Sequence, residues 1–111
     1  MNVYDTANKL ASELRSSPEY LEYKKLKEEL NQNPDIKEKM KDFEKARYDV
    51  QLEALKGEEG QKAKMEETQK IYAELIQNEF ARKYFDAELK FNVLLADVNK
   101  IIAEAVQDVL I

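Results

Sequence analysis

Carboxylates are the commonest reactive groups in this 111-residue sequence, with 23 acidic residues, and several stand side by side: Glu28/Glu29, Glu58/Glu59 and Glu66/Glu67. Converging carboxylates can exchange protons with a substrate or hold a divalent cation. Neighbours on a helix point about 100° apart, so none of these pairs shares a site. A di-metal carboxylate bundle would also need Glu-x-x-His on two helices, and the sequence has no histidine. Glu66, Glu74, Glu79, Asp86 and Glu88 lack the spacing of an EF-hand loop and read as a solvated surface. There is no cysteine either, which removes thiol nucleophiles, disulfides, thiolate zinc and iron–sulfur ligation. Gly57-Glu58-Glu59-Gly60 reads as an exposed loop, and its acids exclude a phosphate cradle. No catalytic residue, metal or cofactor is expected.

Arg47 lies within an apolar seam, where it could meet a carboxylate, a ligand phosphate or a partner protein. The plainer alternative is that its stem packs and its guanidinium pairs with a nearby acid. Tyr20, Tyr23, Phe43, Tyr72, Phe80, Tyr84 and Phe91 follow helical stripes and read as core. Tyr48 and Phe85 fall off those stripes and are candidates for an intermolecular contact, since buried aromatics dominate binding hot spots.

Eighteen basic residues against 23 acidic give a net charge of −5, which disfavours direct nucleic-acid binding. Lys24, Lys25 and Lys27 are followed by Glu28 and Glu29, and Lys37, Lys39, Lys41 and Lys45 alternate with Glu38, Asp42 and Glu44. That alternation describes a solvated helix face. The first residues, Met1 to Asp5, lack the basic and apolar regions of a signal peptide. The stretch 91–111 is apolar but carries Asp97, Lys100, Glu104 and Asp108, each costing about 2.5–3.5 kcal/mol at mid-bilayer. No membrane insertion is expected, and the cytoplasm is the expected location.

Positioning these groups falls to helices. Two glycines and two prolines leave too little punctuation for a β fold. Asn2 caps a first helix whose Val3, Ala7, Leu10 and Leu14 share one face. Ser17 caps a second helix that starts at Pro18 and runs to about Asn31, with Tyr20, Tyr23, Leu26 and Leu30 inward. Asn33-Pro34-Asp35 repeats that cap–proline–acid device. The third helix runs from Pro34 to Lys56 and stops at Gly57. Its seam is Ile36, Met40, Phe43, Arg47, Val50 and Ala54. Tyr48, Leu52 and Leu55 lie nearly opposite, so this helix must be covered on two sides.

Beyond Gln61 the apolar face is set first by Met65, Tyr72, Leu75 and Ile76. A second set follows: Phe80, Tyr84, Ala87, Phe91, Leu94, Leu95, Val98, Ile101, Ile102, Ala105, Val106 and Val109. The two sets differ in phase by about a third of a turn, which predicts a kink or break near Gln77-Asn78-Glu79 and a long final helix. The expected architecture is all-α: a single domain over residues 1–111, about five helices, forming a bundle. The last helix presents an apolar face about 140° wide over about eight turns. A small monomer rarely leaves so large a patch open. A symmetric homodimer with these helices side by side is therefore expected. Its interface candidates are Phe91, Leu94, Leu95, Val98, Ile101, Ile102 and Val109, with Tyr48, Leu52, Leu55 and Phe85 as further protein contacts.

Three stretches carry a resemblance. They are Tyr4-Asp5-x-Ala7-x-x-Leu10-x-x-x-Leu14 with Ser17-Pro18-Glu19-Tyr20-x-x-Tyr23; Asn33-Pro34 with Asp42-Phe43 and Gln51; and Ala87-Glu88-x-x-Phe91-Asn92-x-Leu94-Leu95-x-x-Val98-Asn99-Lys100-Ile101-Ile102. In this order and at this length they resemble the YlbF/YmcA family of small bacterial helical proteins, the last particularly its YheA-like branch. The resemblance implies an all-helical, dimer-forming protein of the bacterial cytoplasm. It also implies a regulatory accessory role in competence, sporulation or biofilm formation, within a complex that affects a membrane-anchored endoribonuclease. Some members carry cysteines linked to iron–sulfur clusters; with no cysteine here, that cofactor does not carry over.

The expected function is thus a non-enzymatic interaction protein that binds itself and other proteins. Two alternatives remain open: a small helical chaperone that grips unfolded clients, and a ligand-binding bundle built on Arg47 with an acid and a tyrosine.

Overall fold

A computed structural model describes residues 2–110. Five helices follow in order: α1 (Val3–Arg15), α2 (Pro18–Leu30), α3 (Pro34–Ala54), α4 (Glu58–Leu75) and α5 (Glu79–Leu110). Among the described residues there is no strand. The expected all-α architecture with a long final helix is what the chain adopts.

The helix boundaries follow side-chain chemistry. The Asn2 side chain accepts a hydrogen bond from the Tyr4 N–H at 2.8 Å, which satisfies one of the free donors at the start of α1. Ser17 serves two helices at once. Its hydroxyl donates to the Leu14 carbonyl at 2.6 Å and accepts from the Tyr20 N–H at 3.2 Å. Asn33 does not repeat that arrangement, although the sequence suggests it. Its amide turns back and donates to the Glu29 carbonyl at 2.9 Å, so it closes α2 and leaves the opening of α3 to Pro34, which needs no donor there.

The third helix ends at Ala54, two residues before the position the sequence suggests, because the Lys56 and Gly57 N–H groups both bond to the Glu53 carbonyl. Gly57 has φ +146°, a conformation that side chains strongly disfavour. The reading of Gly57–Gly60 as a loop is corrected here: Glu58, Glu59 and Gly60 are the first turn of α4. Two carboxylates at that end favourably oppose the positive pole of the helix dipole.

The phase change between the two apolar sets is a real break. The fourth helix stops at Leu75, and the next begins only at Glu79. Asn78 restarts it by accepting from the Ala81 N–H at 3.0 Å.

The chain forms two compact units. One joins the segment ending at Lys27 to the segment beginning at Tyr84; the other is Glu28–Lys83. In the first, Leu26, Tyr84 and Ala87 are buried. The rings of Tyr20 and Tyr23 on α2 meet Phe91 on α5 at 5.9 and 5.8 Å, and Tyr23 meets Tyr84 edge-on at 5.7 Å. In the second, α3 and α4 form a helical hairpin. Its buried residues include Met40, Phe43, Ala46 and Leu75, and the Phe43 and Tyr72 rings lie 5.6 Å apart. Ala81 is also buried in this unit.

Candidate interaction surface

Burial along α5 declines steadily. Tyr84 and Ala87 are buried, Phe91, Leu94 and Val98 are half-buried, and every residue from Asn99 to Leu110 is exposed. The helical repeat that places Tyr84 and Phe91 inward continues through Val98, Ile102 and Val109. One stripe therefore starts as core and ends as surface. Ile101 is 68% exposed, Ile102 52% and Val109 76%. Leu95, on the flank, is exposed, and Phe85 is half-buried with its ring 6.2 Å from that of Tyr84.

A neighbouring helix extends the open surface. Val3, Thr6, Ala7 and Leu10 of α1 and Ile102 of α5 line an apolar hollow of about 480 Å³. The sequence shows the α1 stripe as one helical face; in the structure Val3 on that face, and Tyr4 beside it, are largely exposed. Leu89 and Val93 on α5 are exposed too, on the far side from Phe91. Their four-residue spacing was the available signal, masked by the stronger stripe opposite.

At the covered end of this surface the Tyr23 hydroxyl donates to Glu88 Oε2 at 3.2 Å, and the Lys27 ammonium lies 5.0 Å from the Tyr23 ring centroid. Burial pushes the Tyr23 phenol well above its ordinary value, and the hydrogen bond with Tyr84 and the nearby Glu88 carboxylate push the same way. A phenol that holds its proton more tightly when folded than when unfolded contributes its full share of stability below the unfolded value, and loses it as the unfolded phenol ionises first and draws the chain towards the unfolded state. Stability is therefore expected to fall as pH rises above about 10. In urea unfolding followed by circular dichroism, Tyr23→Phe should make that fall shallower; an unchanged slope would show that the phenol does not hold its proton.

Tyr48 and Leu52 lie on α3 and Leu55 is the capping residue just after it, in the other unit, and all three are exposed. Arg47 is exposed as well. Its guanidinium lies 3.4 Å from Glu44 and 5.5 Å from the Phe43 ring centroid, as the plainer reading of this residue expects. The hollow beside it, of about 280 Å³, is lined by Val50, Gln51, Met65, Thr68 and Gln69. No acid stands opposite the arginine in that lining, so it offers no proton donor–acceptor pair. Among the described residues no three carboxylates come together to hold a metal ion, and no helix is long and apolar enough to cross a membrane.

The sequence matches the family described as "Control of competence regulator ComK, YlbF/YmcA" over residues 3–107. The chain belongs to the YlbF/YmcA family. Similar relatives include UPF0342 proteins of three bacteria. That of Symbiobacterium thermophilum is 36% identical, over 94% of this chain and 93% of its own length. That of Caldicellulosiruptor bescii is 32% identical over 96% and 89%, and that of Desulfitobacterium hafniense is 32% identical over 99% and 89%. Membership in YlbF/YmcA places the chain in a regulatory family and agrees with the YheA-like resemblance of its last helix.

Proposed function

We propose that this protein is a non-enzymatic regulatory adaptor of the bacterial cytoplasm. It acts as a homodimer that engages other proteins in the control of competence, sporulation or biofilm formation. The observation that supports this reading is the apolar stripe of α5, which leaves its own unit's cover after Val98 and continues exposed through Ile102 to Val109. Exposed apolar side chains in that number and alignment are the usual mark of a protein contact. A two-fold pairing lets each copy cover the same stripe on the other. The α1 hollow beside Ile102 adjoins that stripe and gives the second copy a place to insert side chains. Sedimentation velocity over a concentration series is expected to show the mass of two chains at micromolar protein. A single-chain mass throughout would overturn the reading.

A further inference from the structure

The side of α3 turned away from Phe43, Ala46 and Val50 carries a second pattern. Lys41, Lys45, Tyr48, Leu52 and Leu55 follow one another at spacings of four, three, four and three, the alternation of a coiled-coil seam. They fall within about 80° of one another, on a ridge about 21 Å long. All five are exposed, Tyr48 by 59% and Leu55 by 85%. The cations beside the ridge are engaged: Arg47 with Glu44, and Lys56 with Glu53 at 3.8 Å. Lys41 and Lys45 make no ion pair among the described residues.

We propose that this ridge docks an amphipathic helix of a different protein, one whose apolar seam is acidic at the end that meets Lys41 and Lys45. Three observations carry the assignment. The spacing is helical and keeps its phase for two heptads, so the complementary surface is another helix. Lys41 and Lys45, one helical turn apart on the ridge and outside any ion pair among the described residues, give that end of the ridge a local positive charge which an acidic helix end complements. A second copy of the chain fits poorly. Parallel pairing sets Lys41 against Lys41. Antiparallel pairing centred on Tyr48 and Leu52 sets Lys45 against Leu55 and buries an ammonium in hydrocarbon. The proposal extends the adaptor reading to a separate surface and does not depend on the α5 dimer.

The test uses the full chain and a fluorescent synthetic helix of about three heptads with leucine at its seam. Glutamates flank one end, and a control peptide has lysines in their place. In anisotropy titrations at low salt the acidic peptide is expected to bind roughly tenfold or more tighter than the basic one, with the difference shrinking as salt is added. Lys41→Glu with Lys45→Glu should reverse the preference, and Leu55→Ser should weaken both peptides. These residues are exposed, so circular dichroism of the variants should match the parent. Ile102→Glu should leave peptide binding unchanged, which separates this surface from the dimer. Equal affinity for the two peptides, or no effect of the lysine substitutions, would overturn the proposal. So would a changed sedimenting mass of the double variant without peptide, which would make the ridge a contact between copies. Binding of a single-stranded RNA oligomer through the two lysines, with the acidic peptide unbound, would likewise replace it with nucleic-acid recognition.

Discussion

Ile102→Glu is expected to convert a dimer into a folded monomer. In the single chain the Ile102 side chain is 52% exposed, so a glutamate there can keep its carboxylate in water and the protomer loses little. In a two-fold pairing of α5 the same position lies in the contact, and the charge enters twice, once from each copy. An unpaired buried charge costs roughly 3–5 kcal/mol. The dimer dissociation constant should therefore rise roughly a hundredfold or more. Gln107→Glu is the matched control, because position 107 lies on the opposite side of the same helix. Sedimentation velocity should show the Ile102 variant at the mass of one chain, and the Gln107 variant unchanged. Leu95→Glu should act like Ile102→Glu. If the Ile102 variant sediments like the parent, α5 is not the interface.

Leu75→Ala is expected to be the most destabilising simple truncation in the 28–83 unit. Leu75 is 1% exposed, the most deeply buried large side chain among the described residues. It sits on the last turn of α4, immediately before the break at Gln77 and Asn78. Removing its branched end loses the transfer energy of the lost carbons and leaves a cavity that rigid helices only partly close. Such changes cost about 2–5 kcal/mol, a large share of the roughly 5–15 kcal/mol that holds a typical domain folded. Leu55→Ala, at a residue 85% exposed, should change stability by no more than about 0.5 kcal/mol. Urea unfolding of the two variants checks the contrast; similar midpoints would mean that the hairpin is not organised around Leu75.

Periodicity made most of the fold legible. Tyr20, Tyr23, Leu26, Met40, Phe43, Tyr84 and Phe91 are core or half-core where a 3.6-residue repeat places them. The break before Glu79 was legible as a phase shift between two apolar sets. Local capping was harder to read. Asn33 and Ser17 stand before prolines in the same pattern, yet only the Ser17 side chain caps the helix that follows, because an asparagine amide can also reach back to the carbonyls behind it. Gly57–Gly60 misled for a related reason. Glycines suggest a loop, but acids after a glycine also suit a helix start, and the composition of four residues does not separate the two. The surface was legible as apolar pattern and less so as exposure. The stripe through Phe91, Val98 and Ile102 has one periodicity throughout, and only three dimensions show where its cover ends. The ridge on α3 was half visible: Tyr48, Leu52 and Leu55 stood out as a second side, while Lys41 and Lys45 merged into an alternating charge run.

The pairing of the segment ending at Lys27 with the segment beginning at Tyr84 has a consequence for how the molecule is made. The α3–α4 hairpin joins residues close in sequence through the short connection at Gly57, so it can fold as soon as Leu75 has left the ribosome. The other unit cannot. Its first two helices wait, with Tyr20, Tyr23 and Leu26 unsheltered, while more than fifty further residues are translated. Synthesis at roughly 5–20 residues per second makes that wait several seconds long, so the nascent chain spends its most vulnerable interval with the front half of a hydrophobic core in hand and the back half still unwritten.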